Sequence, residues 1–507
     1  MLKMENELLI GLDIGTTGAK GLLVSPEGKV VARSFAGYPL YTPRPGWCEQ
    51  KPEDWWSAAV KVLRELATKT SGKIVAIGLT GQMHGAVFLD ATLEIIRPAI
   101  LWNDARTGSE CAQIEHIIGR EYLQKITGNP ALAGFQAPKI LWLRKNEPEN
   151  YKKVRTVLLP KDYVRLKLTG ELATDVSDAS GTLLLDLIKR NWSDEILAAL
   201  DIPRKWLPQV YESPEVTGKI SKEIATLTGL TEGIPVIAGA GDNAASAVGA
   251  GVVVEGTGLV SLGSSGVVFA HLDNPCPDPA GAIHCFCHAV PEKYHLMGVV
   301  LSAGASLRWF RDIFGSEEVA VANRIGLDPY ELLTREAELA PPGAGGLFFL
   351  PYLSGERTPH MDPNARGAWI GLSLAHQRPH LVRAILEGVA FALKDSFVRI
   401  QNLGCDLQEL RAVGGGMRSP LWRTIIASTL EVCLQRLVVE EGAAYGAALL
   451  AGVGVQLFAD VQEAVKKMVK LLDEQTIPDL NLVQVYRQLY PVYARLYPAL
   501  RNAEVFQ

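Results

Sequence analysis

The sequence predicts an α/β fold in which two similar domains enclose a cleft. Three observations lead to this prediction: one loop pattern occurs twice, short apolar strands alternate with helical stretches, and the chain is rich in apolar residues. With 507 residues, 48% of them hydrophobic and 21% charged, the chain can bury large cores. Alternating strands and helices are typical of α/β proteins, and the repeated loop indicates two domains.

The repeated pattern is a turn rich in glycine and hydroxyl side chains between two apolar strands. Asp13-Ile14-Gly15-Thr16-Thr17-Gly18 in the first half is echoed by Ser261-Leu262-Gly263-Ser264-Ser265-Gly266 in the second. In such a β-hairpin the glycines let backbone N–H groups and hydroxyls surround phosphate oxygens. One copy by itself would fit an ordinary hairpin turn, but two copies favour two phosphate-binding loops. Neither copy has the G-x-x-x-x-G-K-[ST] pattern of a Walker A loop.

Only the first loop carries a carboxylate, because Ser261 stands where the first copy has Asp13. A hydrated Mg²⁺ usually takes one or two carboxylates together with phosphate oxygens. The sequence therefore predicts Asp13 as the metal-side residue of a phosphate-binding site.

Strands and helices alternate before and after the second loop. Residues 54–68 have the spacing of an amphipathic helix, residues 74–79 form an apolar strand pattern, and residues 380–397 predict a long helix. Length alone would allow about three domains. Because the loop occurs twice, we predict two domains, at residues 1–247 and 248–507.

A third glycine-rich turn, Gly414-Gly415-Gly416, follows a strand and precedes a helix that begins at Ser419-Pro420. Serine is a favoured helix cap, and proline is a favoured first helical residue. Three residues without side chains would let the adenine and ribose of a nucleotide lie against the backbone, near the positive end of the helix dipole. A tight turn packed on a neighbouring strand explains these glycines equally well.

A carboxylate at the start of a small-residue helix is the catalytic candidate. Asp242 follows Gly239-Ala240-Gly241, where a predicted strand ends, and precedes Asn243-Ala244-Ala245. Capping the helix is an equally ordinary role for an aspartate at such a position. Its place between the two loops, in a chain whose Gly263–Gly266 turn fails the G-x-S-x-G pattern, favours a general base that orients a hydroxyl for phosphoryl transfer.

Charge and apolar patterning exclude two classes of partner. With 50 Lys+Arg against 55 Asp+Glu and a formal charge of -5, the chain has no basic stretch suited to nucleic acid. No apolar run reaches the roughly 18 residues that a membrane-spanning helix needs. Lys3 and Glu5 interrupt the region that a signal peptide would occupy, so we expect a cytoplasmic protein.

The cysteines do not predict a disulfide framework. There are seven, an odd number, and they are scattered along a long chain. Ligand-type residues crowd together at Cys276, His284, Cys285, Cys287 and His288, but the C-x2-C pairs typical of zinc sites are missing. We expect reduced thiols and buried strand or loop residues here, with a zinc site as the less favoured alternative.

Further stretches, together with the loops, resemble the FGGY family of carbohydrate kinases over nearly the whole chain. These stretches are Gly81-Gln82-Met83-His84-Gly85, Leu101-Trp102-Asn103-Asp104-Ala105-Arg106, Leu159-Pro160-Lys161-Asp162-Tyr163, Gly241-Asp242-Asn243-Ala244-Ala245, His284-Cys285-Phe286-Cys287-His288 and Leu350–His360. The resemblance implies two ribonuclease-H-like domains, similar to those of actin and the Hsp70 ATPase, that close on their ligands. It also implies ATP as the phosphoryl donor, Mg²⁺ as the cofactor and a small sugar as the acceptor.

The resemblance also implies roles for individual residues. Asp242 matches the proton acceptor of the family, and Asp13 matches the carboxylate on the Mg²⁺ side. The positions that match contacts to a ketopentose are Met83, His84 and Asn243, with Trp102 and Asp104 as further residues that line a sugar pocket. Within the family the chain most resembles the members that phosphorylate D-xylulose, which implies D-xylulose 5-phosphate as the product.

Three positions depart from the family pattern. Ser264 stands in place of a threonine, Gln136 in place of a proline or small residue, and Tyr445 in place of a small or aliphatic one. Gln136 bears on the sugar preference and Tyr445 on the nucleotide side. Another ketopentose, a deoxyketose or a polyol therefore stays open as the substrate. The phosphate loops by themselves would also suit an actin- or Hsp70-like ATPase without a sugar substrate, and a homodimer is open as well.

Overall fold

Residues 7–505 are described by the computed structural model of the chain, so Lys3 and Glu5, on which the predicted location partly rests, lie outside the described range. These residues form two seven-stranded mixed sheets, one in each half of the chain, with helices packed on them.

The elements of the first half are β1 (Glu7–Ile14), β2 (Gly18–Val24), β3 (Val30–Gly37), β4 (Glu49–Gln50), α1 (Pro52–Thr68), β5 (Lys73–Gly81), β6 (Val87–Leu89), β7 (Ala99–Ile100), α2 (Gly108–Ile118), α3 (Arg120–Thr127), α4 (Gln136–Asn146), α5 (Pro148–Lys153), β8 (Thr156–Leu158), α6 (Pro160–Thr169), β9 (Ala173–Asp175), α7 (Val176–Ser180), β10 (Leu185–Asp186), β11 (Asn191–Trp192), α8 (Asp194–Ala199), β12 (Gln209–Tyr211), β13 (Val216–Lys219), α9 (Lys222–Thr228), β14 (Pro235–Ile237), β15 (Ala240–Gly241) and α10 (Asp242–Gly249).

The elements of the second half are β16 (Thr257–Leu262), β17 (Gly266–Leu272), β18 (His284–Cys287), β19 (Tyr294–Val300), α11 (Gly304–Phe314), α12 (Ser316–Ile325), α13 (Pro329–Ala337), β20 (Phe348–Leu350), β21 (Ala368–Ile370), α14 (Arg378–Asn402), β22 (Glu409–Val413), α15 (Pro420–Leu430), β23 (Leu434–Leu437), α16 (Ala443–Gly454), α17 (Val461–Met468), β24 (Leu471–Thr476) and α18 (Leu480–Asn502).

The two large sheets share one topology. The first has the order β13-β14-β5-β1-β2-β3, with β15 also paired to β5, and the second has the order β18-β19-β17-β16-β22-β23-β24. In each, a hairpin (β1–β2 or β16–β17) continues into an antiparallel third strand, while its first strand pairs in parallel with β5 or β22. This correspondence confirms the predicted fold class, an α/β chain with two similar, actin-like domains.

Both predicted loops are hairpin turns at equivalent places in their sheets. Residues 15–17 connect β1 to β2, and residues 263–265 connect β16 to β17. The helix and strand predicted at 54–68 and 74–79 are confirmed as parts of α1 and β5, and the helix predicted at 380–397 as part of α14.

Two helices rich in small residues contact both halves of the chain. Helix α10 ends the first half, and its Ala247 packs with Leu259 and Phe269 of the second sheet. Helix α16 belongs to the second half, and its Ala448 packs with Leu9 of the first sheet. The predicted domain boundary between residues 247 and 248 falls inside α10, and that boundary stays a prediction.

Glycines allow α16 to approach both the first sheet and α10. A Cβ atom on Gly11 in β1 would lie 1.7 Å from the carbonyl oxygen of Ala444 in α16. Between the two helices, a Cβ atom on Gly446 would lie 1.8 Å from the carbonyl oxygen of Ala245. Because the obstructing atoms belong to the backbone, no side-chain rotation can make room for a larger residue.

Two expectations about the chain as a whole can be compared with the structure. No helix within residues 7–505 is long and apolar enough to span a lipid bilayer. All seven cysteines are free thiols, and Cys285, Cys287 and Cys405 are buried.

We predict that Gly11→Ala lowers the free energy of unfolding by about 1–3 kcal/mol, because the added methyl group forces α16 away from β1. Gly108→Ala is the matched control: nothing lies within 4 Å of a Cβ atom built on Gly108, and we expect a change within about 0.5 kcal/mol. Denaturant unfolding of both variants measures the difference. Equal stabilities would contradict the close contact between β1 and α16.

Candidate active site

The first loop is held by polar side chains from the strands and turns beside it. Trp102 Nε1 donates a hydrogen bond to Thr16 Oγ1 at 3.0 Å, and the Thr16 hydroxyl donates to Gln82 Oε1 at 3.3 Å. Gln50 Nε2 donates to the carbonyl oxygen of Thr16 at 2.7 Å. Trp102 is therefore in direct contact with the first loop.

Asp13, near the end of β1, has a carboxylate oxygen that its surroundings do not satisfy. Its Oδ1 is buried and has no hydrogen-bond partner among residues 7–505. Burial and the charge of Asp242 raise the pKa of Asp13 to about 7, while Lys20 acts in the opposite direction. A buried oxygen without a donor, close to a second carboxylate, fits a hard cation such as Mg²⁺, which prefers oxygen ligands.

Asp242 is the first residue of α10, and the helix cap itself is Gly241, which makes no side-chain capping hydrogen bond. Asp242 Oδ1 instead accepts hydrogen bonds from the Asn243 N–H at 2.7 Å and from Asn243 Nδ2 at 2.9 Å. Burial raises the pKa of Asp242 to about 6, although these two bonds lower it. Gly241 thus occupies the cap position, while the Asp242 carboxylate still binds a first-turn N–H, and a carboxyl with this pKa can accept a proton at neutral pH.

Met83 and His84 follow β5 and lie beside the segment that leads to Asp242. A Cβ atom on Gly241 would lie 2.9 Å from Met83 Cγ. His84 Nδ1 lies 2.6 Å from the carbonyl oxygen of Gly181, which can only accept, so Nδ1 carries the proton. Burial lowers the pKa of His84 to about 3. The ring is therefore neutral, and its Nε2 lone pair can accept a hydrogen bond.

His84 also belongs to an aromatic cluster in which the two halves of the chain meet. Its ring centroid lies 4.7 Å from that of Phe135 and 6.1 Å from that of Phe286. His284 stacks on Phe286 at 5.3 Å, and its Nδ1 lies 2.8 Å from Asn129 Oδ1. Of the ligand-type residues named above, His284, Cys285 and Cys287 belong to β18, and Cys276 and His288 lie outside it. Residues 7–505 contain no group of three or more His, Cys, Asp or Glu side chains able to hold a metal ion.

Asp104 is buried, and both of its carboxylate oxygens accept hydrogen bonds from other residues of the protein. Its Oδ1 accepts from Arg106 Nε at 2.9 Å, and its Oδ2 accepts from Arg106 Nη2 at 2.7 Å and from the Cys48 N–H at 2.6 Å. Both oxygens therefore brace the loop that carries Trp102. A direct contact between Asp104 and a sugar stays a prediction.

The second loop and the third glycine turn lie side by side. A Cβ atom on Gly414 would lie 2.7 Å from the carbonyl oxygen of Leu262, and Gly414 has a φ of 95°. At the start of α11, Gly304 N–H donates to the Gly263 carbonyl oxygen at 2.9 Å. Gly415 differs, because nothing lies within 4 Å of a Cβ atom built on it. Packing explains Gly414, whereas the open space at Gly415 leaves room for a ligand.

The predicted site residues fall into two groups. The group around the first loop and the start of α10 contains Asp13, Gly15, Thr16, Thr17, Gly18, Met83, His84, Trp102, Asp242 and Asn243. The group on the second sheet contains Gly263, Ser264, Ser265, Gly266, Gly414, Gly415 and Gly416. At the loop tips Thr17 and Ser264 are exposed, so both loops are accessible to a ligand.

Sequence reasoning missed residues that support this site from inside. The Tyr38 hydroxyl donates to the carbonyl oxygen of Gly15. Lys139 is fully buried, and its Nζ donates to the carbonyl oxygens of His84 at 2.8 Å and Gly134 at 2.6 Å. Burial lowers the pKa of Lys139 to about 7. The available signal was a lone lysine in the otherwise apolar run Ala137–Leu143.

Gln136 and Tyr445, two of the departures from the family pattern, both make buried hydrogen bonds to the backbone. Gln136 Nε2 donates to the Gly85 carbonyl oxygen at 2.9 Å. The Tyr445 hydroxyl lies 2.9 Å from the Gly28 carbonyl oxygen and 2.8 Å from that of Met468. Tyr445 thereby joins the turn after β2 to the end of α17, and an effect of either residue on ligand preference stays a prediction.

Comparison with known proteins covers almost the whole chain. The N-terminal domain of the FGGY family of carbohydrate kinases matches residues 8–249, and the C-terminal domain of that family matches residues 258–455. The chain is 41% identical to the xylulose kinase of Escherichia coli (strain K12) over 496 residues, which are 97% of this chain and 99% of that one.

Two further relatives bear on fold and substrate. A crystal structure described as a xyloylose kinase from Brucella ovis superposes with a TM-score of 0.89 at 40% identity, and the match covers 98% of this chain and 100% of that one. The gluconokinase of Bacillus subtilis (strain 168) is 32% identical over 501 residues, 97% of this chain and 96% of that one.

We predict that Tyr445→Phe lowers the free energy of unfolding by about 1–3 kcal/mol, because it leaves buried carbonyl oxygens without a donor. The KM for ATP should not change, since the hydroxyl bonds only to the backbone of the turn after β2 and of α17. Tyr122→Phe, at an exposed tyrosine, is the control and should cost less than about 0.5 kcal/mol. A raised KM for ATP at unchanged stability would instead place Tyr445 on the nucleotide side.

Proposed function

The chain belongs to the FGGY family of carbohydrate kinases, and from this premise we propose that it transfers the terminal phosphoryl group of ATP to D-xylulose, giving D-xylulose 5-phosphate. The substrate rests on relatives named xylulose kinase, which are up to 41% identical over nearly the full chain, against 32% for the gluconokinase.

One observation carries the phosphoryl transfer: two carboxylates from different elements lie close enough for their charges to interact. Asp13 lies near the end of β1, beside the first loop, and Asp242 begins α10. The charge of Asp242 contributes to the raised pKa of Asp13. A phosphoryl-transfer site needs one acid on the metal side and one base beside the acceptor hydroxyl. The pair supports this division, with Asp13 on the metal side and Asp242 as the base.

Asp242 would act by holding the acceptor hydroxyl and taking its proton. Phosphoryl transfer passes through a loose transition state, in which proton removal can come late, so alignment of the hydroxyl contributes more than basic strength. The two hydrogen bonds from Asn243 fix one oxygen of Asp242. Its Oδ2 can then accept from the sugar.

The nucleotide would lie between the loops. Backbone N–H groups and hydroxyls of residues 15–18 and 263–266 would contact the phosphates, and the open surface at Gly415 would take the adenosine. When bound, Mg²⁺ neutralises charge on the phosphate oxygens, and Asp13 Oδ1 is the oxygen that would hold it.

The sugar pocket would lie between Met83, His84, Trp102 and Asn243. His84 Nε2 offers an acceptor for a sugar hydroxyl, and the Trp102 ring offers an apolar face. Asp104 supports this pocket through Arg106 and the backbone of Cys48. Lys139 holds the backbone carbonyl of His84 in place.

Two alternatives of different classes remain as outcomes of an experiment. Another family member's substrate, such as gluconate, a different ketopentose, a deoxyketose or a polyol, would keep the mechanism and change the pocket. An actin- or Hsp70-like ATPase would hydrolyse ATP without a sugar. The cytoplasmic location and a homodimer stay predictions.

We predict that ADP release from ATP and Mg²⁺ requires D-xylulose in a panel that also contains gluconate, ribulose, a deoxyketose and a polyol. Asp242→Ala should lower kcat by about 10²–10⁴, the range for a general acid–base group, without loss of folding. Asp194→Ala, at the first residue of the exposed helix start of α8, is the matched control and should keep full activity. Sugar-independent ADP release would contradict the proposed kinase activity. A better substrate than D-xylulose would contradict only the proposed identity of the sugar.

We predict an acid limb in kcat/KM for the sugar with a midpoint near pH 6. Burial raises the pKa of Asp242 to about 6, and the base must be ionised, so activity falls about tenfold per pH unit below that value. The residual activity of Asp242→Ala should lack this limb. If that variant retains the limb, Asp13 rather than Asp242 is the titrating group, and a midpoint near pH 4 would contradict the raised pKa.

A further inference from the structure

Five charged side chains form a buried cluster next to the segment that carries Asp242. They are Lys161, Asp162, Arg165, Asp175 and Asp178, and all are fully buried. Lys161 Nζ lies 2.7 Å from Asp162 Oδ1, 2.8 Å from Asp175 Oδ1 and 3.1 Å from Asp178 Oδ2. Buried charges are costly unless they are closely paired. None of these residues has a role in the reaction described above.

The cluster can be electrically neutral. Two positive side chains face three carboxyl groups, and burial raises the pKa of Asp178 well above its usual range, partly opposed by Lys161. With Asp178 protonated, two positive charges balance the two carboxylates of Asp162 and Asp175. The ion pairs of Lys161 with Asp162 and Asp175 hold these side chains close to the neighbouring backbone.

One side of the cluster holds the end of β14, which comes before β15 and Asp242. Arg165 Nη1 donates to the carbonyl oxygen of Ile237 at 2.5 Å, and its Nη2 donates to that of Ala238. Hydrogen bonds from a charged donor are stronger than neutral ones. Arg165 therefore fixes the end of β14.

A second arm reaches the residue directly before Asp242. Ser177 Oγ lies 2.5 Å from Asp175 Oδ2 and 3.1 Å from the Gly241 nitrogen. Because a carboxylate only accepts, the Ser177 hydroxyl donates to Asp175, and its oxygen is left to accept the Gly241 N–H. Asp175 is itself fixed by the Lys161 ion pair and by the N–H groups of Ser177 and Asp178.

We propose that Ser177, oriented by Asp175, is a positioning residue that fixes the backbone at Gly241 and thereby aims the carboxylate of Asp242 at the acceptor hydroxyl. This inference rests on the proposed role of Asp242 as the base. Ser177 is fully buried and bonds to Gly241, the residue that precedes Asp242 in the sequence.

The test compares two serine-to-alanine changes on the same short helix. Ser177→Ala removes the acceptor of the Gly241 N–H. Ser180→Ala is the matched control, because Ser180 is equally buried and its hydroxyl donates only to the Ser177 carbonyl oxygen, at 2.7 Å. For each variant, kcat, the KM for D-xylulose, the KM for ATP and the melting temperature are measured.

We predict that Ser177→Ala lowers kcat by about 10- to 100-fold, the order of loss for a misplaced catalytic group, and leaves both KM values within about twofold of wild type. Ser180→Ala should keep the wild-type kcat. Placed in the Asp242→Ala background, Ser177→Ala should not lower the residual rate further, because a positioning residue has no effect once the residue it positions is gone.

The outcomes separate this inference from the proposed function. Equal kcat for Ser177→Ala and Ser180→Ala, or an equal further loss in the Asp242→Ala background, would overturn the positioning role while leaving Asp242 as the base. Full activity of Asp242→Ala would overturn the proposed function itself. Should Ser177→Ala not fold, Ser177→Cys keeps a weaker donor and acceptor in place. Its kcat should then fall below wild type at unchanged KM, and a wild-type kcat would overturn the positioning role.

Discussion

The packing of α10 against α16 is backbone on backbone, and the rest of the molecule depends on it. Gly446 lies where any side chain would collide with the Ala245 carbonyl, and Gly11 is in the same position relative to Ala444. Helix α16 packs on the first sheet, while α10 contacts the first half through Ala244 and Ala245 and the second sheet through Ala247. Asp242 begins α10, and the first loop follows β1. The packing of α10 and β1 on α16 therefore sets the position of the proposed base relative to the first loop.

Desolvation gives the polar residues around this contact their chemical character. Burial raises the pKa values of Asp13 and Asp242 and lowers that of His84. Two carboxylates in a partly dry space favour a cation beside one of them and a proton acceptor in the other. The neutral His84 ring keeps a lone pair available to accept a hydrogen bond from a hydroxyl. Burial thus sets the protonation properties of both the carboxylates and the histidine of the proposed site.

Much of the fold could be predicted because short-range sequence patterns indicate its helices, strands and loops. The two hairpin loops, the helices at α1 and α14, and the helix that starts at Ser419-Pro420 were all visible as short-range signals of glycine, hydroxyl and apolar spacing. Asp242 and His84 were predicted as site residues from motifs. Patterns could not reveal that Asp104 is paired to Arg106, or that Tyr445 bonds to Gly28 more than 400 residues away.

The sequence by itself determined that the chain has two similar α/β halves, each with a glycine-rich hairpin, and that Asp242 stands in a glycine-rich segment between them. The tertiary structure alone decided what each polar residue does, because hydrogen-bond partners and burial depend on contacts between distant segments. Gly241, rather than Asp242, occupies the cap position of α10. Lys161, Asp175 and Ser177 became a connected support for the same segment only through folding, since no sequence spacing encodes the hydrogen bond from Gly241 to Ser177.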